Sequence, residues 1–323
     1  MSQFLRLLVE DDKATALTTV CARLRQGEDD SRAFTVAPEA FDAVPGKPFS
    51  YWVSNAVRET FQRLLAFESK GRTVKQGLAT ADDFRFVRGW WEVGPGGTAG
   101  KWFSLAKGGA YSPFYADVYL AVNWSKDGGE IKNNLNEKGG VRSNVWMLRD
   151  TAANFFLRPG LTWPLRTQQF GVRAMPAGCI FGHKGPVAFN ESDDSNSLLA
   201  HLALMASRPF EALVELSLNA GDSTARSFEV GIIQKTPVPN FNSEQQIMLA
   251  SLARRAWSLK RTLDTIEETS HAFVLPAALR VRLGNYDPPV IEAELASIQS
   301  EINDISFDLY GFNEADRAAV QGT

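Results

Sequence analysis

Residues 288–309 read PPVIEAELASIQSEINDISFDL, and an apolar side chain returns in this stretch every three or four positions. An α-helix turns once every 3.6 residues, so this spacing places the apolar side chains on one helical face. Pro288 and Pro289 suit the first turn of a helix, where a missing amide donor costs little. The apolar positions are Ile291, Leu295, Ile298, Ile302, Ile305 and Leu309. The stretch therefore predicts a long helix that packs against another helix.

A second stretch, residues 243–266, has the same kind of period. Ser243 followed by Gln246 has the spacing of a capping box, which predicts that the helix begins there. Its apolar face consists of Met248, Leu252, Ala256, Leu259, Leu263 and Ile266. Because the two stretches have similar lengths and a long connection, we expect them to pair antiparallel as a helical region at 241–323.

The chain before residue 241 mixes helical and strand-like patterns. Helices are expected at 13–25, 54–67 and 198–218, where apolar residues recur at helical spacing. Residues 115–124 alternate between apolar and other side chains, which is typical of a half-buried strand. Further strands are expected at 170–175, 179–181 and 228–233. The sequence thus predicts an α+β fold, with a helical segment at 1–40, a mixed α/β domain at 41–240 and the helical pair behind it.

The composition is that of an ordinary globular protein: the 323 residues are 44% hydrophobic and 22% charged. The two cysteines, Cys21 and Cys179, do not form a metal-binding spacing, and they suit a reducing compartment. The first residues do not have the pattern of a secretory signal, and no apolar run approaches the about 20 residues of a membrane helix. We therefore expect a cytoplasmic protein with no membrane partner.

The charge is unevenly distributed along the chain. Residues 1–97 are neutral, residues 98–189 carry a net charge of +6, and residues 190–323 carry −9, which gives −3 in total. A basic middle in an acidic chain fits a face that binds a polyanion, although chance segregation of surface charge explains it equally well.

The basic middle interleaves cations with aromatic and amide side chains, a mixture suited to phosphates and base edges. We expect Trp90, Trp91 and Trp124 to be core residues, because they lie in strand-like runs. The candidate DNA-binding residues are Arg85, Arg88, Lys101, Lys107, Tyr111, Asn123, Lys126, Lys132, Arg158, Thr162, Arg166, Arg173, His183 and Lys184.

Two kinds of catalytic chemistry can be weighed against the sequence. Amino-methyltransferases need an Asp/Asn-Pro-Pro-aromatic loop; the similar string Asp287-Pro-Pro-Val290 lacks the aromatic residue and precedes a helix pattern, so we interpret it as a helix start. Asp117, Glu130 and Lys132 have the order found in metal-dependent nucleases, a weak signal that leaves a DNA nuclease as an alternative. No catalytic residue and no metal ligand is assigned beyond that alternative.

Several strings, in conserved order over roughly residues 41–315, resemble the C-terminal region of PglX-type adenine-specific DNA methyltransferases of BREX phage-defence systems. The strings are 44–54 (VPGKPFSYWVS), 76–80 (QGLAT) with Arg88, 91–93 (WEV), 101–103 (KWF), 107–109 (KGG), 122–124 (VNW) with 127–128 (DG), 158–163 (RPGLTW), 170–173 (FGVR), 228–233 (FEVGII) with Pro237, 267–270 (EETS) and 308–311 (DLYG). The Pro-rich turn 236–239 before a helix containing Gln245 and Gln246 is similar to type I restriction specificity subunits. Ser112 and Pro164 depart from the usual pattern of the family.

The resemblance implies that 41–240 is a target-recognition domain and that 241–323 is a spacer or docking region. In that family the S-adenosylmethionine site and the Asn-Pro-Pro-Tyr loop lie upstream of the matching region. The expected function is sequence-specific recognition of double-stranded DNA for an adenine methyltransferase. The methyltransferase domain or subunit would bind the cofactor, and we expect this chain alone to be inactive. A non-catalytic module that binds a protein partner is the remaining alternative.

Overall fold

The computed structural model describes residues 1–69, 71–94, 100–218, 226–280, 282 and 286–321. The strands are β1 Ser2–Leu5, β2 Ala33–Val36, β3 Arg72–Lys75, β4 Val87–Gly89, β5 Trp102–Ala106, β6 Leu120–Asn123, β7 Gly160–Thr162, β8 Arg166–Thr167, β9 Arg173–Met175, β10 Cys179–Phe181, β11 Val187–Asn190 and β12 Arg226–Ser227. The helices are α1 Lys13–Arg25, α2 Asn55–Arg63, α3 Asp83–Phe86, α4 Trp90–Val93, α5 Ser125–Lys132, α6 Arg149–Asn154, α7 Ser195–Met205, α8 Arg208–Leu216, α9 Val230–Lys235, α10 Ser243–Leu263, α11 Ala277–Arg280, α12 Pro288–Tyr310 and α13 Glu314–Gln321. The predicted α+β class is confirmed.

Two four-stranded sheets form the middle of the chain. One has the strand order β10-β5-β6-β4 and the other the order β3-β11-β7-β9. Only the β5–β10 pair in these two sheets is parallel, with Leu105 opposite Ile180. The N-terminal segment, predicted to be helical, also contains the antiparallel pair of β1 and β2 around α1. None of the described helices is long and apolar enough to cross a lipid bilayer.

One hydrophobic core runs from Val44 to Val320 and includes both long C-terminal helices. The helix α10 packs along α7, which in turn lies against β7, β9 and β11. The buried face of α10 consists of Leu249, Ala250, Ala253, Ala256 and Leu259. A second core lies around the sheet that contains β5 and β10, with Phe86, Ile180 and Phe181 fully buried. The C-terminal helices therefore complete the core of the mixed region.

Both long helices are present, with one shift in where they begin. Asp287 caps α12, so the Asp-Pro-Pro string is a helix start as predicted. The helix α10 is capped by Asn242 and Gln245, one residue before the predicted capping box. Arg255 of α10 pairs with Glu294 of α12 (Nε to Oε1, 2.6 Å), and Glu244 shares a groove with Glu301. Residue numbers run in opposite directions along the pair, so the two helices are antiparallel.

Five local predictions were wrong in extent or type, one of them being the strand expected at 170–175, which is limited to β9, Arg173–Met175. The helix expected at 198–218 breaks into α7 and α8, because Ser207 is extended and Pro209 stands in the first turn of α8. The strand expected at 228–233 is the helix α9 over most of its length, with Ile233 buried. The helix expected at 54–67 ends at Arg63. The strand expected at 115–124 is limited to β6, since Phe114 has a positive φ of 68° and Tyr115 packs edge-on against Trp257.

The burial of His201 leads us to expect that the free energy of unfolding falls in acid. Its ring lies between Phe67 and Phe241, and burial lowers its pKa from 6.5 to about 4. The unfolded chain therefore takes up the proton first as the pH falls, and the stability from a neutral His201 is lost between pH 6.5 and about 4. We expect a loss of about 3 kcal/mol over this window, at about 1.4 kcal/mol per pH unit.

The measurement is urea unfolding at several pH values, with His201→Gln as the control, because an amide does not titrate there. The free energy of unfolding of the parent should fall more steeply with acid than that of the variant. Parallel pH profiles for the two proteins would show that His201 is not buried in its neutral form.

Candidate nucleic-acid interface

Three loops meet at one edge of the molecule because β5 and β10 are parallel and end side by side. The Gly182 amide donates to the Ala106 carbonyl (2.7 Å), which joins the loops that leave the two strands. The Leu165 amide donates to the Lys184 carbonyl (2.9 Å), which adds the loop after β7. We call residues 107–111, 163–166 and 182–185 the loop rim.

Glycine is required where these loops touch. Gly108 has a φ of 86°, and a Cβ there would collide with the carbonyl of Lys184. A Cβ on Gly185 would lie 2.7 Å from the amide nitrogen of Gly108. Such close backbone approach is possible only without side chains, so the local sequence fixes the distance between the loops.

Arg173 supports the rim from below and is not exposed to a ligand. It is 6% exposed, and its guanidinium donates to the carbonyls of Ala110 (3.1 Å) and Gly108. Burial lowers its pKa to about 10, so it stays charged at neutral pH. Arg173 was predicted to contact DNA. The structure gives it an internal role instead, because its guanidinium holds the loop 107–111 in place.

Four predicted residues are accessible on the rim. Arg166 and Lys184 are exposed, and no carboxylate partner is found for either among the residues the structure describes. His183 is half-buried, and Tyr111 is 48% exposed with its ring against Gly171. Two cations, an imidazole and a phenol thus lie on one set of rigid loops.

Two further predicted cations, Lys107 and Arg85, lie beside these four residues. Lys107 forms an ion pair with Asp83, so part of its charge is neutralised within the protein. Arg85 is exposed on α3, where its guanidinium lies 4.9 Å from the ring of Phe86. Lys107 is thus a rim residue that is already bound to an internal partner, and Arg85 lies two residues after that partner, Asp83.

A second group of predicted cations lies at the opposite end of β5. Lys101 precedes this strand and Lys107 follows it, so about 20 Å of strand separates them. We call Lys101, Lys126 and Lys132 the lysine end. Glu130 lies 3.8 Å from Lys101, and Asp127 lies 2.7 Å from Lys132. The sequence predicted a single basic face, but the structure divides these cations between the loop rim and the lysine end. At the lysine end, carboxylates lie next to Lys101 and Lys132.

Four further candidates are either buried or bound to partners within the protein, which weighs against their assignment as DNA contacts. Arg158 binds Asp193 (Nη2 to Oδ1, 2.6 Å) and backbone carbonyls, which ties β7 to the loop before α7. Arg88 donates to the carbonyls of Phe84 (2.6 Å) and Val87 (2.7 Å). Asn123 and Thr162 are 4% and 3% exposed on β6 and β7. Asn123 and Thr162 are thus shielded by burial, whereas Arg158 and Arg88 stay partly exposed with their guanidinium groups bound to internal partners.

The three residues of the nuclease alternative do not converge. Asp117 pairs with His271 (2.9 Å), whereas Glu130 and Lys132 have the separate partners Lys101 and Asp127. Within the described part of the chain, no three His, Cys, Asp or Glu side chains are grouped so that they could hold a metal ion.

A cleft of about 550 Å³ separates segment 115–118 from α10, and the sequence analysis missed the residues of α10 that line it. Arg254, Trp257 and Arg261 of α10 line one side, and their spacing of three and four along a helix could have identified this face. His271 lies at the same cleft and stacks on Trp90 at 4.6 Å. The cleft lies between α10 and the two four-stranded sheets.

The tryptophan prediction holds in part. Trp124 is buried, at 7% exposed, as expected for a core residue. Trp91 is 50% exposed and stacks on Tyr119 at the surface. Trp90 is half-buried, and its indole nitrogen donates to the Thr269 carbonyl (2.8 Å). The prediction was wrong for Trp91, because α4 turns it out of the sheet.

Comparison with known proteins confirms the resemblance to PglX-type methyltransferases. The adenine-specific methyltransferase PglX of Lacticaseibacillus casei (strain Zhang) is 26% identical over 300 residues, which cover 85% of this chain and 24% of that protein. The adenine-specific methyltransferase BrxX of Escherichia coli O9:H4 (strain HS) is 27% identical over 294 residues, covering 84% and 22%. The chain thus spans about a quarter of the length of these curated relatives.

Among solved structures, the type IIL restriction-modification enzyme MmeI in complex with DNA matches with a TM-score of 0.48 and 12% identity, over 79% of this chain and 35% of that chain. No protein-family model matches the chain.

Proposed function

We propose that this chain recognises a DNA duplex for an adenine-specific methyltransferase whose methyl-transfer residues lie in a different segment or subunit. Support comes from the similarity of most of the chain to about a quarter of two proteins named as adenine-specific methyltransferases. The observation that carries the proposal is the loop rim, where the exposed cations Arg166 and Lys184 lie together with the hydrogen-bonding side chains of Tyr111 and His183.

The geometry suits the two tasks of sequence recognition. Arg166 and Lys184 would bind phosphates and fix the register of the duplex. Tyr111 and His183 have the hydrogen-bonding groups that read base edges. The buried guanidinium of Arg173 holds the loop that carries Tyr111, so this loop is ordered before DNA arrives.

The cofactor S-adenosylmethionine belongs, in this proposal, to the methyltransferase segment. The chain has no Asn-Pro-Pro-Tyr string, and its Asp287-Pro-Pro-Val290 string caps α12, where Asp287 accepts from the Val290 amide. These residues do not fit the loop that binds a target adenine, so no step of methyl transfer is derived from this chain. The helices α10 and α12 would position the methyltransferase segment relative to the recognition sheets.

The first test measures binding of a 30-base-pair mixed-sequence duplex by fluorescence anisotropy at several salt concentrations. We expect binding whose affinity falls with salt, with a slope of about −0.9 per phosphate contact. Selection from a randomised duplex pool should then enrich one short sequence. Equal binding to DNA and to heparin, without enrichment, would favour the non-catalytic protein-binding module instead.

The same preparation should transfer no methyl group. When the chain is incubated with duplex and radiolabelled S-adenosylmethionine, we expect no incorporation into DNA. A known adenine methyltransferase assayed alongside provides the positive control. Label on adenine in the presence of this chain alone would contradict the proposed division of labour.

A further inference from the structure

Phe84 is the most exposed aromatic side chain in the described part of the protein, at 92%. It lies on the four-residue helix α3, whose other phenylalanine, Phe86, is fully buried. Burying a phenylalanine in a core is favourable by about 1.5–3 kcal/mol, so the fold forgoes this stabilisation at Phe84. Single exposed apolar residues are common, and the local backbone decides whether this one is incidental.

The backbone around Phe84 is held in place by side chains on both sides. Asp82 accepts a hydrogen bond from the Arg85 amide (3.1 Å), and Thr80 donates to Asp83 (2.6 Å). The guanidinium of Arg88 donates to the carbonyl of Phe84 itself (2.6 Å). The ring therefore projects from a rigid support rather than from a loose loop.

Phe84 also lies next to the loop rim. The preceding residue, Asp83, is bound to Lys107, and the His183 amide donates to the carbonyl of Leu78 (2.9 Å), so segment 78–84 runs beside the rim. Lys107 pairs with Asp83, Lys184 lies close enough to act on the same carboxylate, and the exposed Arg85 follows Phe84 directly in the chain. A DNA duplex has charged phosphates on the outside and stacked apolar bases inside. An exposed aromatic ring next to cations is suited to bind such a molecule.

We propose that Phe84 is a wedge that inserts between two base pairs of the bound duplex while the rim cations hold the phosphates. The inference rests on the proposed function, because it needs the duplex to sit on the rim. Apolar side chains that enter a base step unstack it in part and kink the duplex. The kink brings more backbone against neighbouring cations, and steps that unstack easily would be preferred.

The experiment compares the parent chain with Phe84→Ala, Phe84→Trp and Phe49→Ala. Phe49 is the matched control because it is 70% exposed but packs with Phe4 and Phe41 in the N-terminal segment. The probes are 30-base-pair duplexes with 2-aminopurine at successive positions, since its fluorescence rises when a base unstacks. Melting temperatures confirm that the variants are folded.

We expect the parent and Phe84→Trp to raise the fluorescence at one step, whereas Phe84→Ala raises it at no position and binds about 10-fold more weakly. Phe49→Ala should behave as the parent. The wedge is overturned if the parent binds without unstacking any base, or if Phe84→Ala matches the parent in both readouts. A parent that binds no duplex at all refutes the proposed function itself.

Discussion

Replacing Arg166 and Lys184 together by alanine is expected to lower duplex affinity about 60-fold at 0.1 M salt. Each cation on a phosphate releases close to one counterion, with a salt slope of about −0.9, so each contact contributes about 8-fold at this concentration. The slope of log affinity against log salt should become less steep by about 1.8. Both side chains are exposed, so the free energy of unfolding should change little.

The matched control replaces Lys101 and Lys126, which removes the same formal charge at the lysine end. Lys126 is exposed and Lys101 lies near Glu130, and we expect an effect of about 3-fold or less, from the long-range field alone. Equal losses for the two double variants would show non-specific attraction. A larger loss for the control pair would place the duplex at the lysine end.

Removing residues 241–323 is expected to abolish cooperative folding of the remainder. The lost helices contribute large side chains to the core that begins at Val44, and each contributes about 1.5–3 kcal/mol. A folded domain has a net stability of about 5–15 kcal/mol, which this loss matches or exceeds. The large buried side chains are Leu249, Leu259, Ile291, Ile298, Ile302, Phe307 and Tyr310.

Thermal unfolding followed by near-ultraviolet circular dichroism tests this prediction on a chain that ends at residue 240. The control lacks residues 1–40, which contribute no buried residue to that core, and it should keep a sharp transition. A sharp transition in the chain that ends at residue 240 would mean that 41–240 is a domain in its own right, as its predicted boundaries suggest.

The sequence was sufficient to predict those helices and strands that are determined by the pattern of their own residues. The helices α10 and α12 follow from their apolar period, and β10 was predicted with its observed bounds, 179–181. The prediction for residues 228–233 was wrong because short apolar runs fit a strand or a buried helix equally well. Tertiary contacts decide such cases: Ile233 is fully buried, and the Phe228 amide donates to the Leu165 carbonyl.

The candidate site was harder to predict because burial and pairing depend on residues distant in sequence. Arg158 and its partner Asp193 are 35 positions apart, and Arg173 binds carbonyls more than 60 positions before it. The division of the basic middle into two ends follows from β5 running between them, which the charge count could not show. Arg254 and Arg261 were missed because they lie in a net-acidic part of the chain.

Hydrogen exchange with and without a 30-base-pair duplex at low salt tests the central claim most directly, because it locates the bound DNA without a substitution. The account predicts slower exchange at amides in 107–111, 165–167 and 182–185 and in segment 80–85, with residues 125–133 unchanged. Protection confined to 125–133, or spread evenly over the chain, would contradict the placement of the duplex on the loop rim.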